Sequence, residues 1–407
     1  MIKKAIFTAI SILLIVLAAA IIAEAALRLC GLFDKNRGLK NSMGVPNTKY
    51  HHSFKPNSSC QLVSSKNGEY DVAVKINNYG FRGKDISIEK RSEVVRIMII
   101  GDSFTFGVGA EEDETIPFLV EKYLKERGHN VEVINAGFGG YSPLLHYLRT
   151  RDEYLEFRPD IVLYVFDYSD LADDWRAERS LVYDKTGNIL RCDPTYVDGK
   201  KDWWAELRMH SKLCVYIHRK LVRSIDKIRI LGLSGYIKAK LQGKRAKALI
   251  IAKEIEDKAV NPIKYDPYLM IRGRDRLPYI KEHFKRNEKY VNLIRDAFKA
   301  QGAPMMLVVY PYGIHVGPDQ WGEGRVYWGF EKGKLYDDYY AFDLLEDYAR
   351  RNNIPYINLL PDFLNNKNEK LFFDVDGHFT PTANRIAARA IVENRDFERL
   401  LADAMTK

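Results

Sequence analysis

Apolar positions fall along this chain in three rhythms. Ala5 to Ala23 is an uncharged run dominated by Ile, Leu, Val and Ala. At about 1.5 Å per residue, a helix of that length crosses most of a bilayer's roughly 30 Å core. Lys3 and Lys4 precede it, so the amino terminus is expected to stay cytoplasmic and the bulk of the chain to lie outside. The run exceeds the usual signal-peptide core of about 7 to 15 residues, which favours an uncleaved signal anchor over residues 1–28. Ala23-Glu24-Ala25 has the small-x-small form of a cleavage site, so secretion after cleavage is the alternative.

The second rhythm is a set of short unbroken apolar runs: Val94 to Ile100, Val131 to Asn135, Asp160 to Phe166, Met305 to Tyr310 and Pro355 to Leu359. Such runs predict strands buried on both faces. Helical periodicity, the third rhythm, fills the spaces between. It predicts helices over Thr115 to Arg127, Pro143 to Phe157, Arg286 to Gln301 and Phe342 to Asn352, and a last one running to about Leu400. Strand and helix alternating at this spacing mean βαβ units, right-handed crossovers and a parallel sheet between helices. This α/β domain is expected over residues 91–400.

Two stretches break the alternation. Residues 29–90 predict a tether and an arm: Asp34 to Cys60 is rich in Asn, Ser, Lys, Gly and Pro, and Tyr70 to Asn77 alternates with period two, as a half-buried strand does. Arg82, in the turn that follows, is expected to cover the core. Residues of about 175–285 predict an insertion beside the sheet.

The net charge of +9 is concentrated in that insertion, where Arg208 to Lys247 holds twelve Lys or Arg and one acid, Asp226. A solvated helical face accounts for it, as does a surface facing anionic headgroups or an acidic polysaccharide. Nucleic acid is not an expected partner of an exported chain. The four cysteines, Cys30, Cys60, Cys192 and Cys214, show no metal-ligand spacing. A disulfide among the last three stays open, and nothing in the chain calls for a metal or cofactor.

The chemistry is expected where the first strand ends, in Gly101-Asp102-Ser103. Loops converge at the carboxyl edge of a parallel sheet, and a serine there needs a base to take its proton. Asp376-Gly377-His378, before the last helix, offers a base with a carboxylate to orient it. Ser103 is therefore the candidate nucleophile, His378 the general base and Asp376 the acid. The loop Ala136 to Ser142 holds Gly137, Gly139 and Gly140, and glycines there let backbone N–H groups approach a reacting oxygen. Of the other histidines, His51 and His52 are assigned to the tether, His129 to a turn and His146 to a helix surface. His315, in the long aromatic loop from Pro311 to Phe330, is the rival base. Asp170, Asp173 and Asp174 predict a solvated acidic turn, not a metal site.

Taken in order, Gly101-Asp102-Ser103, Asn135-Ala136-Gly137-Phe138-Gly139-Gly140, Asp167-Tyr168-Ser169-Asp170-Leu171 and Asp376-Gly377-His378 resemble the blocks of the SGNH/GDSL hydrolase superfamily, in its membrane-anchored extracytoplasmic bacterial form. The resemblance implies a three-layer α/β/α flavodoxin-like fold and an acyl-serine mechanism. It also implies an oxyanion hole made by the backbone N–H groups of Ser103 and Gly140, with Ser169 standing where the family has an asparagine. The family's acid lies three residues before the histidine; that position is Val375 here, and Asp376 is chosen over Asp374. The function implied is an esterase removing acyl groups, O-acetyl above all, from an extracytoplasmic carbohydrate or other ester. An O-acyltransferase of envelope polysaccharide and a non-catalytic polysaccharide-binding protein are the alternatives.

Overall fold

The computed structural model describes residues 2–29, 39–40, 44–64, 68–217, 260–272 and 274–406. The anchor candidate is a single helix, α1 (Ile2–Leu29). Its Ile6–Leu29 portion has a mean hydropathy of 2.9, with none of the apolar window buried against the rest of the chain. By length and composition it is able to cross a membrane, as an anchor or a signal sequence does.

A two-residue strand, Leu39–Lys40, comes next, followed by β1 (Gly44–Asn47), β2 (His51–Phe54), β3 (Ser58–Val63) and β4 (Asp71–Ile76); Leu39 and Lys40 pair with Leu62 and Gln61 of β3. The period-two pattern over β4 is realised as strict alternation of exposed and buried positions. The stretch expected to be a tether is paired into strands at 39–40 and from residue 44 onward. Tyr50 is buried in the main core, and β3 and β4 pair antiparallel over a smaller cluster that includes Phe106. Aromatic and β-branched residues spaced among the polar ones supply enough apolar surface for this to happen.

The central sheet is built from β5 (Val95–Gly101), β6 (Val131–Gly137), β7 (Ile161–Phe166), β8 (Met305–Val309) and β9 (Tyr356–Asn358). Its order is β9-β8-β7-β5-β6 and every pairing is parallel. All residues of β5, β7 and β8 are buried, as uninterrupted apolar runs require when helices cover both faces.

The chain leaves β5 for β6 on one side and returns to β7 on the other. That reversal opens a crevice at the carboxyl ends of β5 and β7.

Among the helices that follow α1 are α2 (Ser103–Phe106), α3 (Ile116–Glu126), α4 (Pro143–Asp152), α5 (Asp170–Glu178), α6 (Trp203–His210), α7 (Leu277–Ala300), α8 (Tyr340–Arg351), α9 (Pro381–Val392) and α10 (Arg395–Met405). Helices α3, α9 and α10 pack together on one side of the sheet; α4, α5, α7 and α8 pack on the other.

Several bounds depart from expectation. Helix α7 starts at Leu277, inside the stretch assigned to the insertion, because Pro278 suits a first turn and Ile280 and Phe284 continue its buried face. The last helical pattern is two helices, since the Asn394 side chain accepts from the N–H groups of Asp396 and Phe397 and starts α10 afresh. Ile263, Leu269, Met270 and Ile271 of the insertion lie in the core. Its basic stretch lies outside the described residues from 218 to 247. Cys60, Cys192 and Cys214 are all free thiols, so no disulfide joins them, and Cys30 lies outside the described residues.

Candidate active site

Gly101 ends β5 and Ser103 begins the single turn of α2. Asp102 is the helix cap: its Oδ1 accepts from the N–H of Phe104 at 2.9 Å, and its Oδ2 lies 3.1 Å from Ser103 Oγ. The buried Arg82 clamps the far end of that turn, donating to the carbonyls of Phe106, Gly107 and Ala110 at 3.1, 2.6 and 2.5 Å. Gly137 passes so close that a Cβ there would sit 2.2 Å from the nitrogen of Phe106.

The Asp376–His378 loop reaches the same point. His378 Nε2 lies 2.8 Å from Ser103 Oγ, and His378 Nδ1 is hydrogen-bonded to Asp376 Oδ1. Gly377 holds a positive φ of 88°, and a Cβ on it would collide with the indole of Trp321. The Phe104 ring backs the imidazole, with centroids 4.7 Å apart. Asp374 points away from the site, to an ion pair with Lys370 at 2.8 Å.

Two residues of the N-terminal arm, which the sequence did not single out, complete the loop. The Tyr70 hydroxyl donates to Asp376 Oδ2 at 2.9 Å. Glu69 accepts from the N–H groups of Val375 and Asp376 at 2.9 and 3.0 Å. Burial works to raise the Asp376 carboxyl, but the His378 charge and the hydrogen bonds from His378 and Tyr70 outweigh it and hold the group at about 2. Burial alone would lower His378; the Asp376 charge and hydrogen bond, with Asp102 and Asp167 behind them, raise it instead.

Beneath the serine lies a buried acid that opens the third motif block but had no role assigned to it. Asp167, at the end of β7, accepts from the hydroxyls of Tyr310 and Tyr312, the latter at 2.7 and 2.8 Å. Burial, and then the Asp167 charge, push the Asp102 carboxyl up.

The glycine loop runs beside the serine, and a Cβ on Gly139 would lie 3.9 Å from Ser103 Cβ. The N–H groups of Ser103 and Gly140 have no acceptor among the described residues. Ser169 differs from the expectation: its hydroxyl donates to Asp173 Oδ2 at 3.0 Å and its N–H to Asp167 Oδ1 at 2.6 Å. Neither donor is free for an oxyanion in this arrangement, because each is taken by a neighbouring carboxylate.

The histidines also need correction. His146 is not at a surface; it is buried, with Nε2 3.0 Å from the Gly101 carbonyl oxygen. His52 is half-buried, with Nε2 2.9 Å from the carbonyl oxygen of Gly139. His315 is buried and its Nδ1 accepts from the N–H of Tyr312 at 3.2 Å, a cap and not a base facing the serine. Asp174, expected in solvent, is fully buried and accepts from Leu144 N–H and the Asn287 amide at 2.8 and 2.6 Å.

Residues 272–404 match the family model of the SGNH hydrolase-like domain of the acetyltransferase AlgX. That match takes in the second half of the α/β domain, including the Asp376–His378 loop. The chain also aligns with solved structures. With the acetyl xylan esterase AlAXEase it shares 16% identity over 73% of this chain and 98% of that one, TM-score 0.36. With a catalytic mutant of an acetylxylan esterase from Geobacillus stearothermophilus it shares 13% identity over 77% and 96%, TM-score 0.37. No curated protein matches the chain.

Proposed function

We propose that this protein is an SGNH-type, membrane-anchored serine esterase that removes O-acetyl groups from an extracytoplasmic carbohydrate. The observation that carries the reading is the unbroken hydrogen-bonded line from Ser103 Oγ through His378 to Asp376. Ser103 Oγ attacks the acetyl carbonyl carbon as its proton passes to His378 Nε2. Asp376 holds the imidazole in the required tautomer and faces the charge that forms. The tetrahedral oxyanion is received by the N–H groups of Ser103 and Gly140, each worth about a hundredfold to a thousandfold in rate. Collapse of that intermediate expels the sugar oxygen, which takes the proton from Nε2 and leaves acetyl-serine. Water, deprotonated by His378, then releases acetate and restores the serine hydroxyl.

A second reading shares the first half-reaction. In an O-acetyltransferase a sugar hydroxyl replaces water as the final acceptor, and the AlgX description of the matched family favours it. Retention of α1 as an anchor is supported by contacts that cleavage after Ala25 would remove. Glu24 accepts from the N–H groups of Lys212 and Leu213 at 2.9 and 2.7 Å.

The test is labelling with a fluorophosphonate and measurement of acetate release from an activated acetyl ester, with and without a glycan acceptor. Labelling and acetate release that disappear in Ser103→Ala are expected for the esterase. Acetyl transfer to glycan with little release to water would establish the transferase. Failure of Ser103 to label in a folded protein would leave a non-catalytic role.

A further inference from the structure

The outer end of α1 is fastened to the insertion. Arg28 Nη2 donates to the carbonyl of His210, the last residue of α6, at 2.8 Å. Glu24 accepts from Ser211 Oγ at 2.8 Å as well as from the next two backbone N–H groups. Glu24 is the first charged residue after the apolar run, so a spanning α1 puts it at headgroup depth. Residues 210–213 must lie at that depth with it. Helix α6 has eight residues and is about 12 Å long, comparable with the thickness of one headgroup layer. Its whole length therefore stays near the membrane surface.

Its exposed face suits that place. Trp203, Trp204 and Leu207 are 69%, 56% and 48% exposed. Trp203 and Leu207 are one helical turn apart, and Trp204 stands beside them on the same side. Two adjacent exposed tryptophans are a poor fit to water, whereas Trp is enriched where apolar rings meet a hydrated headgroup. Lys200, Lys201, Arg208 and Lys212 flank the face, and the Lys201 ammonium lies 5.0 Å from the Trp203 ring centre. The segment just before α6 is joined to the domain: Asp202 N–H donates to the Thr195 carbonyl at 2.5 Å, and Arg179 holds Asp198.

We propose that α6 is an interfacial helix that seats Trp203, Trp204 and Leu207 in the headgroup layer of the leaflet from which α1 emerges, fixing the orientation of the α/β domain over the membrane. The inference rests on α1 being a retained anchor.

The full chain, reconstituted in nanodiscs of phosphatidylcholine and phosphatidylglycerol brominated on their acyl chains, tests it. Tryptophan emission is expected to be quenched, and nearly all quenching to disappear in Trp203→Phe/Trp204→Phe, because the remaining three tryptophans lie in the α/β domain. Equal quenching in both proteins overturns the proposal. So does emission from these two residues that responds to a soluble acetylated glycan and not to brominated lipid, which would make the face a sugar platform. Intact mass of the extracted chain reads the anchor separately: a chain beginning after Ala25 overturns the anchoring and the interfacial helix, leaving the esterase reading untouched.

Discussion

The Tyr70 hydroxyl sits 2.9 Å from Oδ2 of Asp376, the oxygen that His378 does not use, and so joins the N-terminal arm to a residue 306 positions away. Oδ1 takes both the imidazole and the N–H of His378 and Oδ2 takes Tyr70, which fixes the plane of the group. Glu69 fixes the backbone that carries it. The arm is part of the site's support.

Tyr70→Phe is expected to lower kcat about tenfold with KM little changed, since a hydrogen bond to a charged group is worth on the order of 1.5 kcal/mol. Without this donor the carboxylate keeps more negative charge, so the imidazolium is better stabilised and the acid limb of the pH profile should move upward. A purely structural role would leave that limb in place.

Asp376→Asn should reduce turnover by about four orders of magnitude by presenting the wrong tautomer of His378. Asp374→Asn removes only an exposed ion pair with Lys370 and is expected to leave turnover within a factor of two or so. Steady-state kinetics on the two variants, with circular dichroism to verify folding, separates them; the reverse order would move the acid to Asp374.

Above about pH 6.5 activity and stability should respond to pH in opposite directions. His378 acts as a base when neutral, and its pKa is raised, so kcat/KM should rise through a pKa above about 6.5. The stability this histidine adds is complete below its unfolded pKa and is lost as pH rises through the folded one. Asp376 is depressed to about 2, so its contribution is present above the unfolded carboxylate range and is lost as pH falls toward 2. Thermal unfolding midpoints should therefore be highest between about pH 4 and 6.5, and His378→Ala should flatten the decline on the alkaline side. Asp102→Asn removes one of the charges that raise His378, and should move the acid limb of kcat/KM to lower pH.

Arg82→Leu is expected to destabilise the fold by about 3 kcal/mol, because it leaves three buried carbonyls without their donor. Chemical denaturation measures this directly. A loss of activity without loss of stability would mean that Arg82 acts on substrate.

Much of the site could be read without coordinates because its signals are local. An unbroken apolar run ending in Gly101-Asp102-Ser103 states both that a strand is buried and where its serine emerges. Asp376 and His378 share one short loop, so their partnership is also a matter of spacing. Tyr70, Glu69, Tyr310 and Tyr312 carried no such signal. Each is an ordinary strand-edge or loop residue until the chain brings its side chain to a carboxylate. His146 and Asp174 failed for the converse reason: polar residues in helical patterns are usually exposed, and here the packing of α4 against the sheet and α5 buries them with partners.

The sequence by itself determined the alternation of strands and helices, the edge at which chemistry gathers and the apolar helix at the start, since all three follow from periodicity within some twenty residues. Only the tertiary structure decided that Tyr70 and Glu69 hold the Asp376 loop, that Ser169 spends its donors on Asp173 and Asp167, and that α6 is fastened to the end of α1. Those outcomes are set by directional hydrogen bonds between segments far apart in the chain, whose geometry exists only after the core has closed.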